Sequence, residues 1–272
     1  EISTGGVVDL ADSSTTTTVT NNVTINVLGS ASLKSIFNRL TIYADASSDY
    51  INLYSKTSAK GLGVGPDVYA NVSVMSLSPK IYISGSAAES VHIAARSLDI
   101  RSGIGSLYLY AYSYASGKAL GVDVYSNSRA ETHISVATSV SNASLVGYDD
   151  MTVLADARPA KGRSGRNIYL YSYAYGGGIG AVKAVTDYGS SYANVSLTVG
   201  TGTSFYGSNV LLDAYTFNGS VNRRSETRFV GLGSGSDKYY GSFSYGSTLT
   251  VDSGSTFHIG AAAAGIIIDI SY

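Results

Sequence analysis

The sequence contains no cysteine and no tryptophan, only three prolines, and few charged residues. Without cysteine no disulfide can form, so stability must come from backbone hydrogen bonds and the core. Charged residues make up 14% of the chain, against roughly 25% in ordinary soluble domains. The formal net charge is −1, and no basic stripe is present, which argues against a nucleic-acid partner. No run reaches the roughly 18 apolar residues of a membrane-spanning helix, so we expect no membrane span.

Glycine, serine, threonine, alanine and tyrosine are abundant instead, and they alternate with a period of two residues. The clearest example is residues 167–176, NIYLYSYAYG. Alternation of this kind predicts a half-buried strand, because successive side chains of a strand point to opposite faces. One face of this segment then carries Ile168, Leu170, Ser172 and Ala174, and the other carries only tyrosines.

The same pattern recurs along the chain. SLYLYAYSYA at 106–115 repeats NIYLYSYAYG almost letter for letter, and YINLYS at 50–55 is a shorter version. A second arm recurs with its outward position at steps of 51, 60, 57 and 56 residues, and it defines five degenerate copies with a period near 56 residues; this position is Asp45, Arg96, Asp156, Asp213 and Asp269. We predict an N-terminal capping segment at 1–20 and a single repeat domain at 21–272, with copies one to five near 21–46, 50–101, 106–157, 167–218 and 228–272.

Strand repeats of this length indicate a solenoid or a propeller. A propeller blade of four antiparallel strands needs about 40–50 residues, which keeps that alternative open. Equivalent inward positions keep the same small apolar residues from copy to copy, and no blade signature is present, so we favour the solenoid. The prediction is an all-β, parallel β-solenoid (β-helix), right-handed and almost without helix, in which each copy forms two or three turns.

Two sets of outward residues are candidate functional positions. The first is a charge ladder, in which equivalent positions of the copies stack; it comprises Asp45, Arg96, Asp156, Asp213 and Asp269. The second is an aromatic face that could bind carbohydrate, contact neighbouring molecules, or only stiffen the sheet. It comprises Tyr54, Tyr108, Tyr110, Tyr112, Tyr114, Tyr169, Tyr171, Tyr173 and Tyr175.

The sequence offers little support for catalysis or cofactor binding. GLGVGPD at 61–67 and GLGSGSD at 231–237 faintly resemble the calcium repeats of β-rolls, but each occurs once instead of in tandem. His92, His133 and His258 have no partners at metal-ligand spacing, and no nucleophile or phosphate-binding motif appears. We therefore expect no enzyme, no catalytic residues, no bound metal and no cofactor.

Copy four is written VSLTVGTGTSFYGSNVLLDA at 195–214. This style of repeat resembles the long repeat (passenger) regions of large bacterial filamentous adhesins, of the haemagglutinin-like and leukotoxin-related type. The resemblance covers about residues 21–272, and the chain departs from it in its high tyrosine content. The resemblance implies an extracellular or cell-surface stalk that spaces, adheres or self-associates.

These patterns together predict a structural or adhesive filament subunit. The expected partners are copies of itself or further repeats of the same passenger, with surface glycans as additional candidates. The apolar strand 264–272 predicts head-to-tail pairing through an open edge; alternatively, residues 1–272 are a window on a longer passenger. The competing functions are a carbohydrate-binding module that uses the tyrosine face and a polysaccharide-cleaving β-helix enzyme.

Overall fold

The computed structural model describes residues 2–5, 8–9, 11–159, 167–217, 220–259 and 265–271, and of these it describes the backbone alone at 2–5, 8–9, 48–49, 72–74 and 265–271. The described residues form strands, turns and bends and contain no helix. The prediction of an all-β chain is therefore confirmed. The same part of the chain accordingly holds no helix with the length and apolar character needed to cross a membrane.

The strands form two sheets, and the described strand pairs in both are parallel. Sheet A contains β1 (Ile2–Gly5), β2 (Val8–Asp9), β3 (Ser13–Leu28), β5 (Ser48–Lys60), β6 (Gly63–Val64), β7 (Asp67–Ser84), β9 (Leu107–Ser141), β11 (Ile168–Val199) and β13 (Val221–Val251). Sheet B contains β4 (Ser32–Asp45), β8 (Val91–Gly103), β10 (Ala143–Asp156), β12 (Ser204–Tyr215), β14 (Thr256–Ile259) and β15 (Gly265–Ser271).

Each copy passes once through sheet A and once through sheet B. Tyr110 of β9 pairs with Tyr169 of β11, and Leu145 of β10 pairs with Phe205 of β12, so partners lie one repeat apart. The expectation of two or three turns per copy is therefore wrong. Parallel pairing also excludes the propeller, whose blades are antiparallel.

The alternation predicted from the sequence is present in sheet A. Ile168, Leu170, Ser172 and Ala174 are fully buried, while the tyrosines between them are partly exposed. Because the pairing keeps equivalent residues in register, every copy directs the same face of its strand into the core.

The long strands of sheet A are bent, and their two halves face each other. In β9 the hydroxyl of Ser113 lies 2.8 Å from that of Ser126 and 3.0 Å from that of Ser128. Ser113 also lies 2.9 Å from Ser172 of the next copy. The bend lies between these halves, where β11 has the run Gly176–Gly177–Gly178.

Two apolar clusters fill the interior. The larger lies between the sheets and includes Ile134 from sheet A and Leu145 from sheet B. The smaller lies inside the bend of sheet A and is built from small side chains such as Ala115, Val122 and Ala174. Short side chains are required there because the two halves of one strand approach closely.

The strands extend the copies beyond the bounds predicted from the sequence. β3 begins at Ser13 and pairs with β7, so residues 13–20 of the predicted capping segment are part of a strand of sheet A. β13 begins at Val221, and its first residues pair with the tyrosine-rich part of β11. The sequence VNRRSET at 221–227 has lost the tyrosines that identify this arm in copies three and four.

Candidate functional site: the outward tyrosine face

The nine tyrosines of the predicted aromatic face lie on β5, β9 and β11, at positions that share one face of sheet A. Strand pairing aligns them in columns, and Tyr50 joins them through its contact with Tyr108. We call these residues the tyrosine face. Its columns are Tyr50 with Tyr108, Tyr110 with Tyr169, Tyr54 with Tyr112 and Tyr171, and Tyr114 with Tyr173, while Tyr175 is aligned with Ser116.

Most rings in these columns stack face to face. The ring centroids of Tyr50 and Tyr108 lie 4.8 Å apart, with 3° between the planes. Tyr110 stacks on Tyr169 at 5.1 Å and 10°. In the columns of Tyr54–Tyr112 and Tyr114–Tyr173 the separations are 5.0 and 5.3 Å, with angles of 4° and 9°. The spacing follows the distance of roughly 4.8 Å between parallel strands.

Stacking leaves ring edges and hydroxyl groups at the surface. A flat sugar-binding platform instead needs exposed ring faces, and the ring faces inside the columns cover one another. The exposed rings are those at the N-terminal side of the face, where Tyr50 is 59% and Tyr54 is 52% exposed. The centre of the tyrosine face therefore stiffens the sheet more than it offers a surface for stacking a ligand.

Crowding of the phenols changes their acidity. Burial raises the pKa of Tyr110 and Tyr112, and the neighbouring tyrosines add to the effect. Burial and a 3.0 Å hydrogen bond to Glu226 raise the pKa of Tyr171 to about 12. These phenols are consequently neutral hydrogen-bond donors at every physiological pH.

Cations border the tyrosine face. The ammonium of Lys56 lies 5.7 Å from the ring centre of Tyr114, and that of Lys118 lies 5.5 Å from the ring centre of Tyr175. On β13 the guanidinium carbon of Arg224 lies 5.4 Å from the ring centre of Tyr171. Such contacts contribute roughly 0.5–1 kcal/mol each at exposed sites.

The strand register places the aspartates of the predicted charge ladder in two separate columns. Asp45 and Asp156 both pair with Gly103, so they share a column with a glycine between them. Asp213 pairs with Leu154 on one side and with Asp269 on the other, two positions away from that column. The side chain of Asp269 lies outside the described residues.

Arg96 does not join either column, because it lies at the irregularity of β8 where the register shifts. It forms an exposed ion pair with Asp149 at 2.7 Å instead. The sequence-based alignment missed these shifts, since the bulges of sheet B insert different numbers of residues in different copies.

Asp156 is buried and is hydrogen-bonded to two arginines. It is 2% exposed and accepts hydrogen bonds from the guanidinium groups of Arg158, at 2.9 and 3.0 Å, and Arg101, at 2.9 Å. The two arginines compensate its buried charge, as a carboxylate in this position requires. The arrangement ties the end of β10 to its neighbour and leaves the carboxylate no access to a substrate.

The described residues contain no group of three histidine, cysteine, aspartate or glutamate side chains that could hold a metal ion. The segments 61–67 and 231–237 both lie at the bend of sheet A, in copies that are not adjacent. The expected absence of metal and cofactor sites stays a prediction.

A second surface feature lies on the outer side of sheet B. An open groove of about 490 Å³ is lined by Val146, Tyr148, Tyr206 and His258 among others. Tyr206 stacks on His258 with centroids 4.4 Å apart, and Tyr148 is 54% exposed. The groove lies beside the bulge of β10, where the register with β12 shifts between Gly147 and Asp150.

The cationic border of the tyrosine face was missed by the sequence analysis. Lys56, Lys60 and Lys118 lie on the same strands as the tyrosines. In β5 and β9 both these lysines and the tyrosines of the tyrosine face occupy even-numbered positions, and this spacing predicts that they point to the same face. It was hidden because the net charge of the whole chain is close to zero.

Comparison of the chain with protein families, with curated proteins and with solved structures found no match.

Proposed function

We propose that the chain is a parallel β-solenoid that serves as an extracellular structural or adhesive element and extends by stacking further copies on its ends. The parallel pairing of equivalent residues one repeat apart supports the solenoid architecture. The incomplete burial of the apolar residues in copy five is the observation that supports the stacking.

Equivalent residues differ in burial between copies four and five. Leu197 and Val199 are fully buried, and they pair with Leu249 and Val251, which are only partly buried. The side chains are the same, so the difference arises because no described strand covers copy five. Burying a side chain of this size completely stabilises a protein by roughly 1.5–3 kcal/mol, so a further copy in this place would be favoured.

The N-terminal end shows the same effect. Ile25 of β3 is partly buried, whereas Ile81, its partner in β7, is fully buried. Both ends therefore present the cross-section that the inner copies use to stack on each other.

The backbone at these ends is also available for pairing. β13 is 31 residues long and pairs with β11 as its one partner among the described strands. Long open edges favour addition of another strand. Contact between the C-terminal end of one molecule and the N-terminal end of the next is heterologous and does not close, so it generates a filament.

The resemblance of the repeat to filamentous adhesin passengers supports an extracellular location and an adhesive role. A non-closing filament of this kind suits a stalk that separates a cell from its surroundings.

Sedimentation velocity of the 272-residue chain over a concentration series tests the stacking. We expect oligomers that grow with concentration. The variant Leu249→Lys with Val251→Lys places two charges on the C-terminal end and should remain monomeric. Its control, Thr248→Lys with Thr250→Lys, adds the same charge on the exposed outer side of β13 and should assemble like the unmodified chain.

A chain that stays monomeric at every concentration would contradict the proposal. So would equal assembly of the end variant and its control, because assembly would then use another surface.

A further inference from the structure

The cationic border of the tyrosine face contains a groove at the bend of sheet A. It has a volume of about 360 Å³ and lies between the rings of Tyr114 and Tyr175. The groove is lined by Ser58, Ala59, Lys60, Tyr114, Ser116, Gly117, Lys118 and Tyr175.

Two lysines are held side by side in this groove. Lys60 of β5 pairs in register with Lys118 of β9, so their backbones are about 4.8 Å apart. Both side chains are exposed, and neither forms an ion pair with a described residue. Like charges on adjacent strands repel each other and destabilise the sheet, so the fold does not explain this placement.

Charge accumulates around the groove in a chain whose total charge is close to zero. The outward positions of the same arm also carry Lys56 on β5 and Arg224 and Arg228 on β13. The one carboxylate among the described outward side chains of this arm is Glu226, which is held by Arg224 at 2.9 Å and by Tyr171 at 3.0 Å. The groove thus lies in a local positive field.

Hydroxyl groups and aromatic rings complete the lining. The hydroxyl of Ser116 donates to that of Ser58 at 2.9 Å, and Tyr175 lies next to Ser116 in the register. On the following strand the position next to Lys118 is Gly177. Because glycine has no side chain, the groove stays open on that side. A β-carbon there would lie 3.4 Å from Cγ of Lys118.

From this combination we infer that the groove binds an acidic polysaccharide, one whose sugar rings carry carboxylate or sulfate groups. The paired ammonium groups bind the anionic group as point charges. The serine and tyrosine hydroxyls hydrogen-bond to sugar hydroxyls, and the rings of Tyr114 and Tyr175 form apolar walls for the sugar. The site lies at the border of the tyrosine face, where Tyr173 covers one ring face of Tyr114 and Tyr175 is aligned with Ser116 instead of with another ring.

Binding of defined oligosaccharides, measured by calorimetry, tests this inference. The probes are an oligogalacturonate, a sulfated dextran oligomer and an uncharged dextran oligomer of matched length. We expect the two acidic probes, or one of them, to bind with an affinity that falls as salt is raised, and the uncharged probe not to bind. Which acidic probe binds more tightly identifies the anionic group.

The groove variant is Lys60→Gln with Lys118→Gln, and its control is Lys34→Gln with Lys238→Gln, which removes the same charge from exposed positions elsewhere. The variant removes two charge-assisted hydrogen bonds to the anionic group, so binding should weaken at least tenfold, which corresponds to about 1.4 kcal/mol. The control should change affinity less than twofold. We expect the groove variant to fold, because its substitutions remove repulsion between exposed side chains.

Several results would overturn the inference. These are no binding of either acidic probe, equal binding of the uncharged oligomer, or equal losses in the groove variant and its control. A single-stranded DNA oligomer that competes as well as the saccharides would assign the groove to a different class of polyanion.

Discussion

At the scale of residues, the inward positions are chosen for size and for the ability to form hydrogen bonds. Ser55, Ser113, Ser172 and Ser225 occupy the same position in four successive copies and are buried. Their hydroxyls find partners in neighbouring copies or across the bend, as the 2.9 Å contact between Ser113 and Ser172 shows. A buried hydroxyl without such a partner would cost roughly 1–3 kcal/mol.

The bend of sheet A depends on glycine at residue 178. Gly178 has φ of +139°, and a β-carbon there would lie 1.6 Å from the carbonyl oxygen of Ala119. Gly178→Ala should therefore destabilise the protein by more than about 1 kcal/mol, because alanine does not adopt this backbone conformation without strain. Urea unfolding followed by circular dichroism measures the change.

Gly246→Ala is the matched control for this substitution. No atom lies within 4 Å of a β-carbon at residue 246, so its free energy of unfolding should stay the same or rise slightly. Equal destabilisation by the two substitutions would show that the conformation at residue 178 does not determine the bend.

The sequence predicted which residues face inward better than it predicted the surroundings of charged residues. Alternation correctly placed Ile168 and Leu170 in the core and Tyr169 outside. It could not show that Arg96 pairs with Asp149, because that pairing depends on a bulge with no fixed sequence signal. Alternation also could not predict that Lys60 lies beside Lys118, because that prediction requires the register between β5 and β9.

At the scale of elements, parallel register aligns the outward tyrosines of adjacent strands in columns, with Tyr175 as an exception. An aromatic pair contributes roughly 0.5–1.5 kcal/mol beyond the area that it buries. The tyrosine stacks between β9 and β11 therefore stabilise the pairing of these strands on the outer side of the sheet, in addition to the backbone hydrogen bonds and the core. The columns end at β13, where Asn222, Arg224 and Glu226 replace the tyrosines.

The raised pKa of the tyrosine face predicts sensitivity to alkali. The ordinary pKa of tyrosine is 10.0, and that of Tyr171 is raised to about 12 by burial and by its bond to Glu226. A group with a raised pKa in the folded state stabilises it fully below the unfolded value and loses that effect as pH rises through the folded value. Stability should thus fall between about pH 10 and pH 12, which thermal melts over this range would measure.

Substitution by phenylalanine isolates the contribution of one phenol. Tyr171→Phe removes the ionisable group and should shift the loss of stability to higher pH, whereas Tyr245→Phe, at an exposed ring of β13, should not. An unchanged alkaline profile in Tyr171→Phe would rule out titration of this column as the cause.

The number of passes per copy could not be predicted from strand patterns alone. A coil of ordinary size uses about half of a 56-residue copy, and this led to the expectation of two or three turns. Instead, one strand of 35 residues in copy three bends without ending, and its halves enclose a small second core. The period itself was correct, since partners such as Tyr110 and Tyr169 are separated by one copy.

At the scale of the whole molecule, two parallel sheets repeat the same cross-section from copy to copy. This design provides a continuous core, aligned side chains and two ends that are less buried than the interior. Leu249 and Val251 on one end and Ile25 on the other show where another copy would continue the stack.

Electron microscopy of the assembled chain tests the central claim most directly. If molecules stack end to end, the chain forms unbranched fibres with the width of one molecule. Their axial repeat should be about 24 Å, the length of five copies at roughly 4.8 Å each. Isolated particles at every concentration, or fibres whose repeat does not match a stack of five copies, would contradict the claim.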